Sequence, residues 1–251
     1  MLHFILSTAR LAWHDALALL EGHSAQSLPS LIPQLVVGLV AGAVIYVPVH
    51  ELLHALGCVL VGGSVSEVEI APAFGGRLLE SLLPFVSSET EYAGRLSGFD
   101  VGGSDLRLLV TDFAPYGLTI FVGVPLLRRL QRRPRAWLSG GALLVALAPW
   151  ISLPGDYYEM GSTIVTGVLW WAGGDWSTLR SDDLFALVGG ITGEPAAYGF
   201  DGIIGTATGA AVIVASICAA VSLAALTYAA GSAIALEPTT LELDESSDSK
   251  S

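Results

Sequence analysis

The chain contains no asparagine, one lysine, two cysteines and few charges of either sign. Without Asn there is no acceptor for N-glycosylation. Cys58 and Cys218 lie far apart in apolar segments, which excludes a disulfide framework or a thiolate metal site and makes each a buried small hydrophobe. Charged residues make up 14% of the 251 positions and hydrophobic ones 53%, whereas a soluble domain carries about a quarter charged residues. The shortfall lies in long apolar runs, which makes a large soluble core the weaker explanation. A net charge of −12 excludes nucleic-acid binding, which needs a basic surface. Glu237, Glu242, Asp244, Glu245 and Asp248 oppose only Lys250 at the C-terminal end, a disordered, solvated acidic tail.

What is present is a succession of apolar segments. Residues 1–22 do not read as a signal peptide, because His3, Arg10, His14 and Asp15 interrupt the run. His3, Ser7, Arg10, His14 and Glu21 recur at helical spacing, giving an amphipathic helix on the membrane surface or packed on the bundle. His3, His14 and His23 are assigned to interface polarity. A first crossing spans Leu31 to Val61, where Gly62-Gly63 ends it, and its Gly38 and Gly42 form a GxxxG packing motif. Residues 63–106 are more polar and open with the strand-like alternation Val65-Ser66-Glu67-Val68-Glu69-Ile70, stopped by Pro72 and Gly75-Gly76. Further crossings are expected at about 108–127, 137–153 and 203–235. Met160 to Ala172 is apolar but short for a crossing. Gly173 to Asp201 is polar and Gly-rich, and Gly205 with Gly209 forms a second GxxxG. The expected fold is an all-α, polytopic bundle of 4–6 transmembrane helices with a small β-strand or hairpin element after the first crossing.

The first crossing contains Val49-His50-Glu51-Leu52-Leu53-His54. Residues i and i+4 share a helix face, so His50 and His54 can direct ring nitrogens at one metal ion. Glu51, beside the first ligand, can accept a proton from a metal-bound water. Two His and one Glu are costly in an apolar span, so they must be paired, metal-bound or in a wet cavity. His54 precedes Gly62 by eight residues, about 12 Å along the axis, which puts the site below the surface but within reach of water. Pro48 removes a helix hydrogen bond just upstream.

Catalytic zinc takes three protein ligands and keeps one position open. Asp156, in Leu153-Pro154-Gly155-Asp156-Tyr157-Tyr158-Glu159, follows a Pro-Gly break at which a short carboxylate can turn inward, and is the favoured third ligand. Glu159, one helical turn later, is the runner-up. Either acid would also suit a helix N-terminus.

These residues resemble the site-2 protease family of intramembrane zinc metalloproteases. The HExxH lies in a membrane helix. A strand with a Pro-Phe-Gly-Gly-like end follows, similar to Ile70-Ala71-Pro72-Ala73-Phe74-Gly75-Gly76. The family's zinc-binding Asp comes two helices later in a Pro-x-Asp-Gly setting, similar to Pro154-Gly155-Asp156. The resemblance covers residues 31–160, about half the chain, and HExxH carries its specificity. There are two departures. Tyr157 stands where Gly follows the family's Asp, and the Gly-Pro-x-x-Asn element is reduced to Ala114-Pro115-Tyr116. A substitute for that Asn is open; Asp112 is one, unless it pairs with Arg107.

The resemblance implies an intramembrane zinc endopeptidase in which His50, His54 and Asp156 hold Zn2+ and Glu51 is the catalytic base. Its partners would be the lipid bilayer and a membrane-protein or membrane-associated peptide substrate, held by edge pairing on strand 65–70. The expected organisation is an amphipathic helix (1–30), a metalloprotease membrane core (31–160), additional helices with a polar loop (161–235) and the acidic tail (236–251). Two other classes remain open. One is a zinc-dependent membrane hydrolase of the prenyl-protein protease type, with Glu159 as ligand; the other is a non-catalytic metal-binding membrane protein. The oligomeric state is left open. Orientation is contested by two features. Arg128, Arg129, Arg132, Arg133 and Arg135 put their loop inside, whereas site-2 proteases open their zinc site toward the cytosol, which would put that loop outside. The arginine cluster is the stronger topological signal.

Overall fold

A computed structural model describes residues 1–171, 176–181, 184 and 207–235. Helix α1 (Leu2–Glu21) is followed by the long α2 (Leu28–Leu60), which runs through Pro33 and Pro48 without interruption. At 1.5 Å per residue α2 is about 50 Å long, more than a bilayer core of about 30 Å requires. Among the described residues, four apolar segments are long enough to cross a membrane: 28–60, 105–132, 136–170 and 207–235. The protein is a multi-pass integral membrane protein.

Between the first and second spans lies a three-stranded sheet. Strand β1 (Ser64–Ile70) is central, pairing in parallel with β2 (Val86–Ser87) and antiparallel with β3 (Gly94–Asp100). A 3₁₀ turn at Pro72–Phe74 and helix α3 (Gly76–Leu82) join β1 to β2. Gly75, at φ +84°, makes the reversal that ends the Pro-x-Phe-Gly-Gly segment. Val68, Ile70 and Val86 pack with Ala55 and Leu52 of α2, so the sheet lies along the last turns of that helix. β1 is paired on both sides only at 68–69, and β3 is an edge strand of the sheet that also packs on α2.

The second span is irregular. Helix α4 (Asp105–Phe113) passes into a 3₁₀ turn at Ala114–Tyr116, then a π-helical turn at Thr119–Gly123, then α5 (Val124–Arg132). Pro115 has no N–H for the helical ladder, which accounts for the first irregularity. Arg107 reaches the Gly62 carbonyl (3.4 Å).

The third span is broken. Helices α6 (Ala136–Ile151) and α7 (Asp156–Trp171) are its halves, joined by a turn at 152–155. The short 160–172 stretch is therefore no separate crossing; a Pro-Gly turn interrupts one span, which made its second half look isolated. The Pro154 carbonyl accepts the Leu184 N–H (2.8 Å), a partner from far along the chain.

Lipid is as apolar as the side chains, so helix association in a bilayer rests on close packing. Here α2 and α6 run parallel along a glycine seam: Gly38 lies against Trp137, Gly42 against Gly141 and Gly140 against Leu35. Helix α8 (Ala207–Ala235) packs antiparallel to α7, with Gly161 against Ser216 and Ala220. On the arginine side, Asp15 of α1 accepts hydrogen bonds from Arg128 Nε and Nη2 (3.1 and 3.0 Å) and from the Tyr228 hydroxyl (2.8 Å). The Gln131 amide donates to the Asp15 carbonyl (2.8 Å). Helix α1 is thus packed on the bundle, with Thr8, Ala12, Asp15 and Leu19 as its buried stripe. His23 is buried against Ser139 (3.0 Å). Cys58 is buried as expected, but Cys218 lies on the outer surface of α8, because a helix whose entire circumference is apolar gives no sign of which face meets lipid. The acidic tail, Gly205 and most of the 173–201 stretch fall outside the described residues.

Candidate metal centre

His50 and His54 project from one face of α2, and the break in the third span brings Asp156 opposite them. His50 Nε2 lies 3.1 Å from Asp156 Oδ2, His54 Nε2 lies 3.1 Å from His50 Nε2, and His54 Nε2 lies 3.4 Å from Asp156 Oδ2. Ligands bound tetrahedrally at 2.0–2.1 Å from zinc stand about 3.3 Å from one another, so these spacings fit one ion. The chemistry fits as well. His54 Nδ1 donates to the Thr111 carbonyl (2.9 Å), which can only accept, so Nε2 presents a lone pair to the cluster. His50 Nδ1 is engaged by the Tyr46 hydroxyl (2.9 Å), one turn back on α2. Both rings thus have the outer hydrogen bond that fixes a ligating His.

Two histidines and an aspartate could supply three ligands and leave a fourth position for water, as catalytic zinc sites do. All three sit in membrane spans, where an ionisable group is costly and marks function. Among the described residues, these three form the cluster able to hold a metal ion, and Glu159 is outside it. This is the site-2 protease arrangement. The buried His/His/Asp cluster on membrane helices has the make-up of a zinc-activated catalytic site for intramembrane proteolysis, and its setting implies contact with membrane-associated substrates. No protein-family model, curated protein or solved structure matches the chain, so the likeness to site-2 proteases rests on the motif, the helix-break aspartate and the sheet that follows the first span.

Glu51 is buried beside His50, with β3 running past it. A Cβ placed on Gly94 would stand 2.6 Å from Glu51 Cγ, so only glycine lets the strand approach this closely. Glu51 is nine residues from the end of α2, about 14 Å along the axis. The start of β3 therefore reaches below the end of the helix, and its outer edge lies at the level of the site.

Two groups at the centre escaped the sequence reading. Tyr46 is four residues before His50, a spacing that could have revealed it. Tyr116 donates its hydroxyl to Asp156 Oδ2 (2.6 Å) from the 3₁₀ turn of the second span. Its only sequence signal is the Ala-Pro-Tyr remnant of the site-2 protease Gly-Pro-x-x-Asn element. Asp112, the alternative considered for that Asn, is buried one residue after the Thr111 that holds His54.

Proposed function

We propose that this protein is an intramembrane zinc endopeptidase in which His50, His54 and Asp156 hold the metal and Glu51 is the catalytic base. The observation that carries this is the convergence of the three ligand atoms within 4.8 Å of one another, next to a buried Glu51, inside apolar spans. Zinc, when bound, would acidify the attacking water and polarise the scissile carbonyl. Glu51 takes the proton from that water and returns it to the leaving amide nitrogen. His54 is held by Thr111 and His50 by Tyr46, so neither imidazole must reorient during turnover.

The substrate is a peptide segment in or beside the membrane that enters in extended form. Helical peptide bonds are shielded by their own hydrogen bonds, so the segment must unwind before it can be cut. The neighbouring sheet supports a means of holding it unwound. Unpaired strand edges are not tolerated against lipid and survive only where protein or a water-filled cavity covers them. The edge of β3 at the level of Glu51 is met in part by Glu51 itself, whose carboxylate faces the Leu96 N–H, and a peptide adding to that edge would replace this contact and pass the catalytic carboxylate. Edge pairing is thus assigned to β3 rather than to β1.

The test is zinc content and peptide cleavage with the purified full chain. His50→Ala and His54→Ala lose zinc; Glu51→Gln keeps it and loses cleavage of a membrane-spanning peptide. Full cleavage by Glu51→Gln would end the role of Glu51 as the base, and a zinc-loaded wild type that cleaves no peptide would end the hydrolase assignment and leave a metal-binding protein.

A further inference from the structure

The second span contributes no ligand, yet it touches two of the three. Thr111 holds His54 through its carbonyl, and Tyr116 holds Asp156 through its hydroxyl. The contacts differ in kind. A backbone carbonyl survives substitution of its side chain, whereas the Tyr116 contact depends on one oxygen atom.

Tyr116 is fully buried. It ends the 3₁₀ turn at Ala114–Tyr116, and a π-helical turn begins three residues later. Tight and wide turns in succession redirect side chains that a regular helix would spread evenly, and such insertions recur at functional sites. Here they accompany a phenol that lies between the two ligand-bearing spans. Its ring meets His50 edge-on at 5.5 Å and Tyr157 at 4.4 Å. The 2.6 Å hydroxyl–carboxylate distance falls in the 2.5–2.7 Å range of a charge-assisted O–H···O⁻ bond. The accepting oxygen, Oδ2, is the same one that lies 3.1 Å from His50 Nε2 and 3.4 Å from His54 Nε2.

Asp156 needs such a partner. It stands in the first turn of α7, just after the break, with its side chain a quarter exposed. A short carboxylate there can rotate away from the histidines toward the start of its own helix, where acids are favoured. We infer that Tyr116 is a positioning residue of the metal centre: its phenol keeps Asp156 turned toward His50 and His54, and so sets the affinity for zinc. This rests on the metal-binding part of the proposed function, and not on Glu51 or on hydrolysis.

The experiment compares Tyr116→Phe with Tyr157→Phe in the purified full chain. Tyr157 is an equally buried ring whose hydroxyl goes instead to Thr227 (2.8 Å). Zinc affinity is read by competition with a chelator, and ligand geometry by the visible spectrum of the Co2+-loaded protein. Loss of an outer-shell hydrogen bond weakens metal binding by about 10–100-fold. That loss, with a changed cobalt spectrum, is expected for Tyr116→Phe, while Tyr157→Phe keeps the wild-type affinity and spectrum. Wild-type affinity in Tyr116→Phe overturns the inference alone. An equal loss in Tyr157→Phe also overturns it, because packing would then explain both. A wild type that binds neither ion overturns the inference and the metal centre together. A wild type that binds zinc yet cleaves no membrane-spanning peptide ends the protease assignment and leaves the role of Tyr116 standing.

Discussion

Gly42 is two helical turns from His50, and its substitution tests how rigidly the bundle holds the metal centre. A Cβ at Gly42 would stand 2.7 Å from Gly141 Cα, where ordinary contact begins at 3.4 Å. The obstructing atom is backbone and cannot rotate aside, so α2 and α6 must part by about 0.7 Å at this level. His50 and His54 ride on α2, and Asp156 follows α6 in the partner span, so the separation is passed to the ligand set. Functional constellations are held to about 0.5 Å, and a misplacement of about 1 Å can cost ~10²-fold in rate. Gly42→Ala should therefore lower peptide cleavage by about 10–100-fold and weaken zinc binding. Gly141→Ala is the matching control from the opposite side of the same contact. Its Cβ would meet Gly38 O at 3.3 Å and Gly42 Cα at 3.6 Å, which a small adjustment relieves, so activity near wild type is expected. Both variants would be assayed for zinc by chelator competition and for turnover on a membrane-spanning peptide. Wild-type zinc affinity and turnover in Gly42→Ala, or equal impairment in Gly141→Ala, would refute the rigid coupling of the seam to the site.

Asp156→Ala should lower zinc content far more than Glu159→Ala, measured by metal analysis; the reverse would make Glu159 the ligand and move the protein toward the prenyl-protein protease type. Asp15→Ala leaves the part-buried Arg128 without its carboxylate and should destabilise the bundle by about 3 kcal/mol, the low end for a buried pair, read by thermal unfolding in detergent. An Asp15→Leu/Arg128→Leu double variant should recover part of that loss, and a double variant no better than Asp15→Ala would show that the pair is not the cause. Single cysteines at Glu91 and Arg133, in a background lacking Cys58 and Cys218, report orientation. An impermeant reagent applied to intact cells should label Glu91→Cys and spare Arg133→Cys, as the arginine-rich loop requires; the opposite pattern would show that the site opens toward the cytosol.

Features written in short-range pattern were legible from the sequence alone. His50 and His54 needed only the helical repeat, and β1 was found at Ser64–Ile70 from alternation and its glycine stop. The Pro-Gly break singled out Asp156 because a turn in an apolar run is a local signal. What depends on distant partners was not legible. The third span continues beyond its break, but residues 160–172 look too short by themselves. The sheet order that makes β3 the strand beside Glu51 depends on pairing across the whole 64–100 region, and Gly94 gives no hint of the carboxylate above it. Tyr116 becomes part of the centre only through a 3₁₀ turn and a contact 40 residues away. Asp15 looked like an interruption of an apolar helix, and its reason lies 113 residues further on, in Arg128.

The separation of the ligands along the chain has a consequence for biosynthesis. His50 and Asp156 are 106 residues apart, and a ribosome adds about 5–20 residues per second. The histidine pair therefore leaves the ribosome roughly 5–20 s before its carboxylate partner. During that interval α2 is in the bilayer with two imidazoles and Glu51 but without the third ligand or the second-span groups that orient it. Zinc capture is therefore expected after the third span has inserted, and a nascent chain stalled before Asp156 is expected to hold the ion only weakly. A protease that acquires its metal last stays inactive while its own unfolded spans, and those of its neighbours, are still entering the membrane.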